Sequence, residues 1–217
     1  FSLSRPAMCS LSLSKSPADL FGVSENSFLQ WTKEERESQL ERKIGMCCRD
    51  ICARATNGFI VCSFESPSLI QDGPKCGIVA LVMGIYALLS HRRDTSDVQT
   101  FIHERGLSVT ALFEMACEAG WSMRGEIFSA RNLGLLGHRG VTRARVEGVT
   151  CECVPFDAGT IMRVLAARQG VVLVPYDCAP NHLPWCKGGK KPHWAVLLGV
   201  VMAVGADGER RECKEGE

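Results

Sequence analysis

Charge of one sign is what this 217-residue sequence has least of: 25 lysines and arginines against 24 aspartates and glutamates leave a formal net charge of +1. So small an imbalance argues against a general footprint for nucleic acid or a membrane surface and confines any charge preference to local clusters. A long hydrophobic run is also missing. The longest, Gly77 to Leu89, has 13 residues, short of the ~18 or more that spanning a bilayer requires. Residues 1–30 hold no basic segment followed by a sustained apolar one, so no secretory signal is read there. The signatures of serine hydrolases and nucleotide-binding folds, G-x-S-x-G, the P-loop and G-x-G-x-x-G, are absent. No C-x-x-C pair occurs among the 12 cysteines. A zinc module assembled from Cys47, Cys48, Cys52, Cys151, Cys153, Cys178, Cys186 and His182 therefore has little support, and no metal or other cofactor is expected.

What is present is a globular composition, 46% apolar and 23% charged, in a chain long enough for one sizeable domain with an appendage. Several cysteines lie inside apolar segments, such as Cys62 in FIVCSF and Cys117 in LFEMACEAG. They read as reduced and mostly buried, which points to a soluble protein of the cytoplasm.

Residues 1–30 are Ser-rich, with prolines at 6 and 17, and read as a poorly ordered leader. Residues 31–57 read as an N-terminal helix, in which Thr32 and Glu35 form a capping box. The strand pattern GFIVCSFES is followed by the Gly77–Ser90 helix, a short helix capped by Ser96 and Gln99, and a third over SVTALFEMACEAG. In that third helix Leu112, Phe113, Ala116 and Cys117 share one face, with Gly120 as the stop. GLLGHRG, around His138, reads as a turn, and TIMRVLAARQG as a helix closed by Gly170. Two apolar runs, 171–177 and 195–204, read as strands of a buried sheet. Helices early and strands late make the class α+β. Residues 205–217 read as a polar tail, and the chain as an incomplete or alternatively ended product.

Cys76 is the residue with the most chemistry in its setting. Gly73-Pro74 makes a turn before it and an apolar helix begins at it, so its sulfur faces unpaired backbone N–H groups and the positive end of the helix dipole. A cysteine nucleophile needs a base. Of the five histidines, His91 and His103 lie in charged segments, and His138 and His182 in turn or loop sequence. His193 stands at the first position of a buried strand, in KKPHWAVLLGVV, where a stiff platform can point an imidazole at a helix terminus. Gln71, five residues before Cys76, offers an amide to an oxyanion. Lys187, Lys190 and Lys191 crowd the loop before His193, a local positive cluster that attracts acidic groups.

SLIQDGPKCGIVAL, RGEIFSARNLGLLG, GVVLVPYD followed by NH, and KPHWAVLLGVV together resemble the actin maturation proteases, from about residue 58 to 204 and in one order. That resemblance implies a papain-like cysteine peptidase fold related to bacteriocin-leader peptidases, with an N-terminal helical part carrying the cysteine and a C-terminal antiparallel sheet carrying the histidine. It implies a metal-free cysteine aminopeptidase that removes acetyl-Met or acetyl-Cys from the actin N-terminus. Cys76 then becomes the nucleophile, His193 the base and Gln71 an oxyanion donor. Two features depart from the family pattern. The proline-rich stretch suited to profilin is lacking before residue 67, and the only Asp or Asn after His193, available to orient it, is Asp207. Other thiol acyl-transfer enzymes, such as isopeptidases and transglutaminases, use the same residue types, and an inactive form that binds actin without cleaving it is a further alternative.

Overall fold

The computed structural model describes residues 7–13, 29–30, 59–91, 95–180, 183–185 and 188–203. The capping box at Thr32, the helix expected over 31–57, His182, Lys187 and Asp207 lie outside them. The organising element is helix α1, Cys76–Ser90. Its residues are apolar nearly all the way round, and from Gly77 to Leu89 all but Met83 and Tyr86 are buried, as a helix with no polar face demands. One side of α1 meets a four-stranded antiparallel sheet with the order β4-β1-β5-β6, made of β1 (Ala7–Leu13), β4 (Val149–Pro155), β5 (Gly170–Asp177) and β6 (Pro192–Leu197). The same core takes in residues of α2 (Thr95–Glu104), α3 (Val109–Glu118) and α4 (Ala130–Arg143). On the sheet's far face Met8 and Val172 pack with Ile161 and Leu165 of α5 (Ala158–Ala166). A second sheet, order β2-β3-β7, joins Leu29–Gln30, Phe59–Ser63 and Gly199–Ala203.

The helix reaches the sheet through two glycines seven residues apart, on one face of α1. A Cβ on Gly77 would stand 3.0 Å from Trp194 Cδ1, and one on Gly84 would stand 2.8 Å from Leu11 Cδ1 and 3.2 Å from Val171 Cγ2. Glycine there lets α1 lie directly on β6 and β1.

The expected α+β class holds, as a mixed structure with antiparallel sheets, but several elements differ from the sequence reading. Residues 7–13, placed in an unordered leader, form β1 between β4 and β5. The signal was a period of two: Cys9 and Leu11 point into the α1 core, while Ser12 alternates with them and meets Thr150 through hydroxyls 2.9 Å apart. GLLGHRG is helical, not a turn. Ser129 caps α4 by accepting from the Asn132 N–H, and Leu133, Leu136 and Val141 are buried. Its glycines cost helix propensity, about 1 kcal/mol each against alanine, yet a Cβ on Gly137 or Gly140 would run into Cys151 or Leu112. Close packing on β4 and α3 overrides propensity.

β4 itself was not anticipated. Helix α5 ends at Ala166, with Arg168 taking the left-handed position (φ 52°), and Gly170 starts β5 instead of closing the helix. Helix α2 starts at Thr95, so Ser96 lies inside it and does not precede it as a cap. On α3 Cys117 is exposed and Met115 takes the buried position, because the core-facing stripe runs through Leu112, Met115 and Ala116. The apolar run 195–204 breaks at Leu198 and divides between the two sheets. Among the described residues no helix is long and apolar enough to cross a membrane.

Candidate active site

Cys76 is the first residue of α1 and is partly exposed. The preceding turn is fixed by Gly73 at φ +68°, in the left-handed region that favours glycine. Lys75 occupies the N-cap without a side-chain cap, and the first turn holds no acidic side chain. The orphan N–H groups of that turn are thus uncompensated by any carboxylate of the helix itself. Lys75 is held from three sides: its ammonium lies 3.8 Å from the Asp72 carboxylate and 5.1 Å from the Phe113 ring centre, and its stem runs over Gly125.

His193 is the second residue of β6, half-buried, with Tyr176 of β5 as its cross-strand partner. Their rings meet edge to face, centres 5.5 Å apart at 83°. The next residue, Trp194, is buried; its indole N–H donates to the Ile127 carbonyl at 2.7 Å, and its ring lies against Gly77. Residues 76–77 and 193–194 therefore sit at one seam, where the start of α1 meets the start of β6. Burial pushes the Tyr176 phenol up, and charge on Cys178 and on Cys76 adds to the rise.

Gln71 is exposed, and its side-chain amide donates to the Gly73 carbonyl at 2.7 Å within its own loop. An amide nitrogen carries two hydrogens, so this bond leaves one for another acceptor. Lys190 and Lys191 are exposed in the turn that enters β6. The carboxylate of Asp177 accepts from the Gly189 N–H at 2.7 Å and the Lys191 N–H at 3.3 Å, and the Cys178 N–H donates to the Lys191 carbonyl at 3.0 Å.

The other described histidines stand elsewhere. His91 follows α1 and meets Phe64 edge on, His103 is exposed in the last turn of α2, and His138 is exposed on α4. His138, Met115, Arg139, Thr142 and Arg143 line an open depression of about 440 Å³ that shares no residue with the seam. Among the described residues no group of three His, Cys, Asp or Glu side chains is arranged to hold a metal ion.

Sequence reasoning missed Tyr176, Asp177 and Trp194, whose parts in the seam depend on strand register. It also missed an apolar rim. Ile70 before α1, Met123 and Phe128 between α3 and α4, and Leu183 and Trp185 between β5 and β6 are large apolar side chains left 51–96% exposed. Single exposed apolar residues are ordinary, but these belong to the three loops that border the seam.

No solved structure is significantly similar to the chain. Among curated proteins, the actin maturation protease of Danio rerio is 33% identical over 138 residues, which is 64% of this chain and 40% of the relative. That of Xenopus tropicalis is 37% identical over 139 residues (64% and 41%), and that of Homo sapiens 34% over 146 residues (65% and 36%). The chain thus spans about two fifths of the length of the curated relatives it matches. The family profile described as "Actin maturation protease-like, C-terminal domain" matches residues 66–201, more than half of the chain and the whole segment that carries the seam, and the chain belongs to that family.

Proposed function

We propose that the chain is a cytoplasmic thiol aminopeptidase that removes the acetylated first residue of actin, with Cys76 as nucleophile and His193 as general base. The observation that carries this reading is the seam itself: Gly77 against Trp194 brings a helix start with a cysteine up to a strand start with a histidine. Two sequence-distant residue types that cysteine peptidases require are supported there on rigid elements.

In the proposed reaction His193 takes the proton of the Cys76 thiol as the sulfur attacks the carbonyl carbon of the acetylated residue. An S–C bond forms and the carbonyl oxygen becomes an oxyanion, to which the Cys76 backbone N–H and the second N–H of Gln71 donate. The C–N bond then breaks, and His193 gives its proton to the leaving amine of the shortened polypeptide. Water attacks the thioester, losing a proton to His193, and the acetylated amino acid departs as the thiol is restored. Lys190 and Lys191, with Lys187, attract acidic residues that follow the scissile bond, and the apolar rim suits a methionine or cysteine side chain.

The test incubates the protein and its Cys76→Ala variant with acetylated actin N-terminal peptides and reads the products by mass. Loss of the first acetylated residue with the wild type alone is the expected result; equal conversion by both proteins would overturn the assignment.

A further inference from the structure

A histidine that passes a proton between sulfur and leaving amine has to be held in one orientation, a task that a hydrogen-bonding or packed neighbour performs. The strand paired with β6 presents two consecutive side chains at the seam, Tyr176 and Asp177. We propose that Tyr176 and Asp177 are the positioning pair of this site, Tyr176 by bracing the His193 ring and Asp177 by fixing the turn that delivers its strand. The inference rests on the Cys76–His193 reading above.

Successive residues on a strand point to opposite faces, so the two act on different parts of the same strand start. Tyr176 lies directly across from His193, and the T-shaped ring contact limits rotation of the imidazole. Asp177 lies across from Pro192. Its carboxylate binds the N–H groups on either side of Lys190, in a turn where Gly188 and Gly189 both take left-handed φ, +64° and +78°. Consecutive glycines hold no conformation by themselves; the turn takes its shape from the Asp177 bonds and the Cys178–Lys191 bond beside them. Pro192 follows with its φ locked by the ring, so any shift of the turn is passed to His193 without a flexible joint to absorb it. The ionisable groups on the elements around His193 are Tyr176, Asp177 and Cys178 of β5 and its end, Cys76 of α1, and Lys190 and Lys191 of the turn.

The experiment follows alkylation of Cys76 by iodoacetamide from neutral to alkaline pH, read by peptide mass, in the full chain and in His193→Ala, Asp177→Ala, Asp177→Asn, Tyr176→Leu and Tyr176→Phe variants. Circular dichroism melting accompanies each variant. This readout needs no peptide substrate. His193→Ala is expected to slow the reaction near neutral pH. Asp177→Ala and Tyr176→Leu are expected to slow it there by about tenfold, the change that one pH unit in proton sharing produces, and to match the wild type in alkali, where a thiol ionises unaided. Tyr176→Phe keeps the ring and is expected to keep the rate, and Asp177→Asn, which retains one acceptor oxygen, to fall between. Should Asp177→Ala fail to fold, Asp177→Asn and Tyr176→Leu carry the test. If His193→Ala slows the reaction while the Asp177 and Tyr176 variants keep the wild-type profile, or slow it equally at every pH, the positioning pair is refuted and the dyad stands. If His193→Ala leaves the profile unchanged, the dyad itself is refuted, and the pair with it.

Discussion

Adding one methyl group at Gly77 tests whether the seam between α1 and β6 sets the reaction geometry. In Gly77→Ala the new Cβ would stand 3.0 Å from Trp194 Cδ1, 3.3 Å from Nε1 and 3.5 Å from Cγ, whereas carbon atoms in ordinary contact keep about 3.5–4.0 Å. Relief requires about 0.5 Å of separation between the helix start and the strand start. The indole cannot rotate away cheaply, because it is buried and its N–H is bound to Ile127. Overpacking of this kind costs about 1–3 kcal/mol, and replacing a helical glycine by alanine returns about 1 kcal/mol. The net loss of stability is then about 0–2 kcal/mol, no more than about 8 °C in Tm for a chain of this size. The rate is far more exposed to the change, since a misplacement of about 1 Å can cost about 100-fold; half of that displacement predicts roughly a tenfold loss in kcat/KM on an acetylated peptide.

Gly84→Ala supplies the control. Its Cβ would meet Leu11 Cδ1 at 2.8 Å on the same helix face, two turns from Cys76. A comparable melting shift with an unchanged rate is expected there. Equal rate losses in the two variants, or a full rate in Gly77→Ala at a lowered Tm, would refute the idea that this contact positions the reacting groups.

Two further outcomes follow from local electrostatics. Lys190→Glu/Lys191→Glu is expected to raise KM for a peptide with acidic residues after the scissile bond at low salt, and to change it little at high salt, where the attraction is screened; steady-state kinetics at two ionic strengths checks this, and an unaltered KM at low salt would rule it out. At the start of α5, the hydrogen bonds from Thr160, first among them, and the nearby Arg163 hold the Asp157 carboxyl below the usual carboxylate range. A lowered folded-state value means that its contribution is complete above that range and is lost as the pH falls through the folded value; Asp157→Asn should flatten this part of the acid limb in melting curves taken against pH, and an identical acid limb would contradict it.

Where one residue's environment is local, the sequence was sufficient. The apolar run after Gly73-Pro74 could only be a buried helix, so Cys76 had to stand at its N-terminal edge. The capping serine at 108 and the left-handed Gly120 bracket α3 as their residue types require. Local signals failed where packing overrode them: glycines in α4 read as a turn until β4 and α3 were seen to occupy the space that side chains would need. The serines of β1 hid a strand whose alternation becomes visible only once a sheet is there to receive Cys9 and Leu11.

The sequence by itself placed a cysteine at a helix start and a histidine at a strand start, because turn, apolar run and strand pattern are properties of a few neighbouring residues. Tertiary structure decided what surrounds them. Trp194 on Gly77, Tyr176 across from His193 and Asp177 on the turn before it are separated along the chain by 12 to 117 residues, and such pairings arise from strand register and close packing, which no local window of sequence encodes.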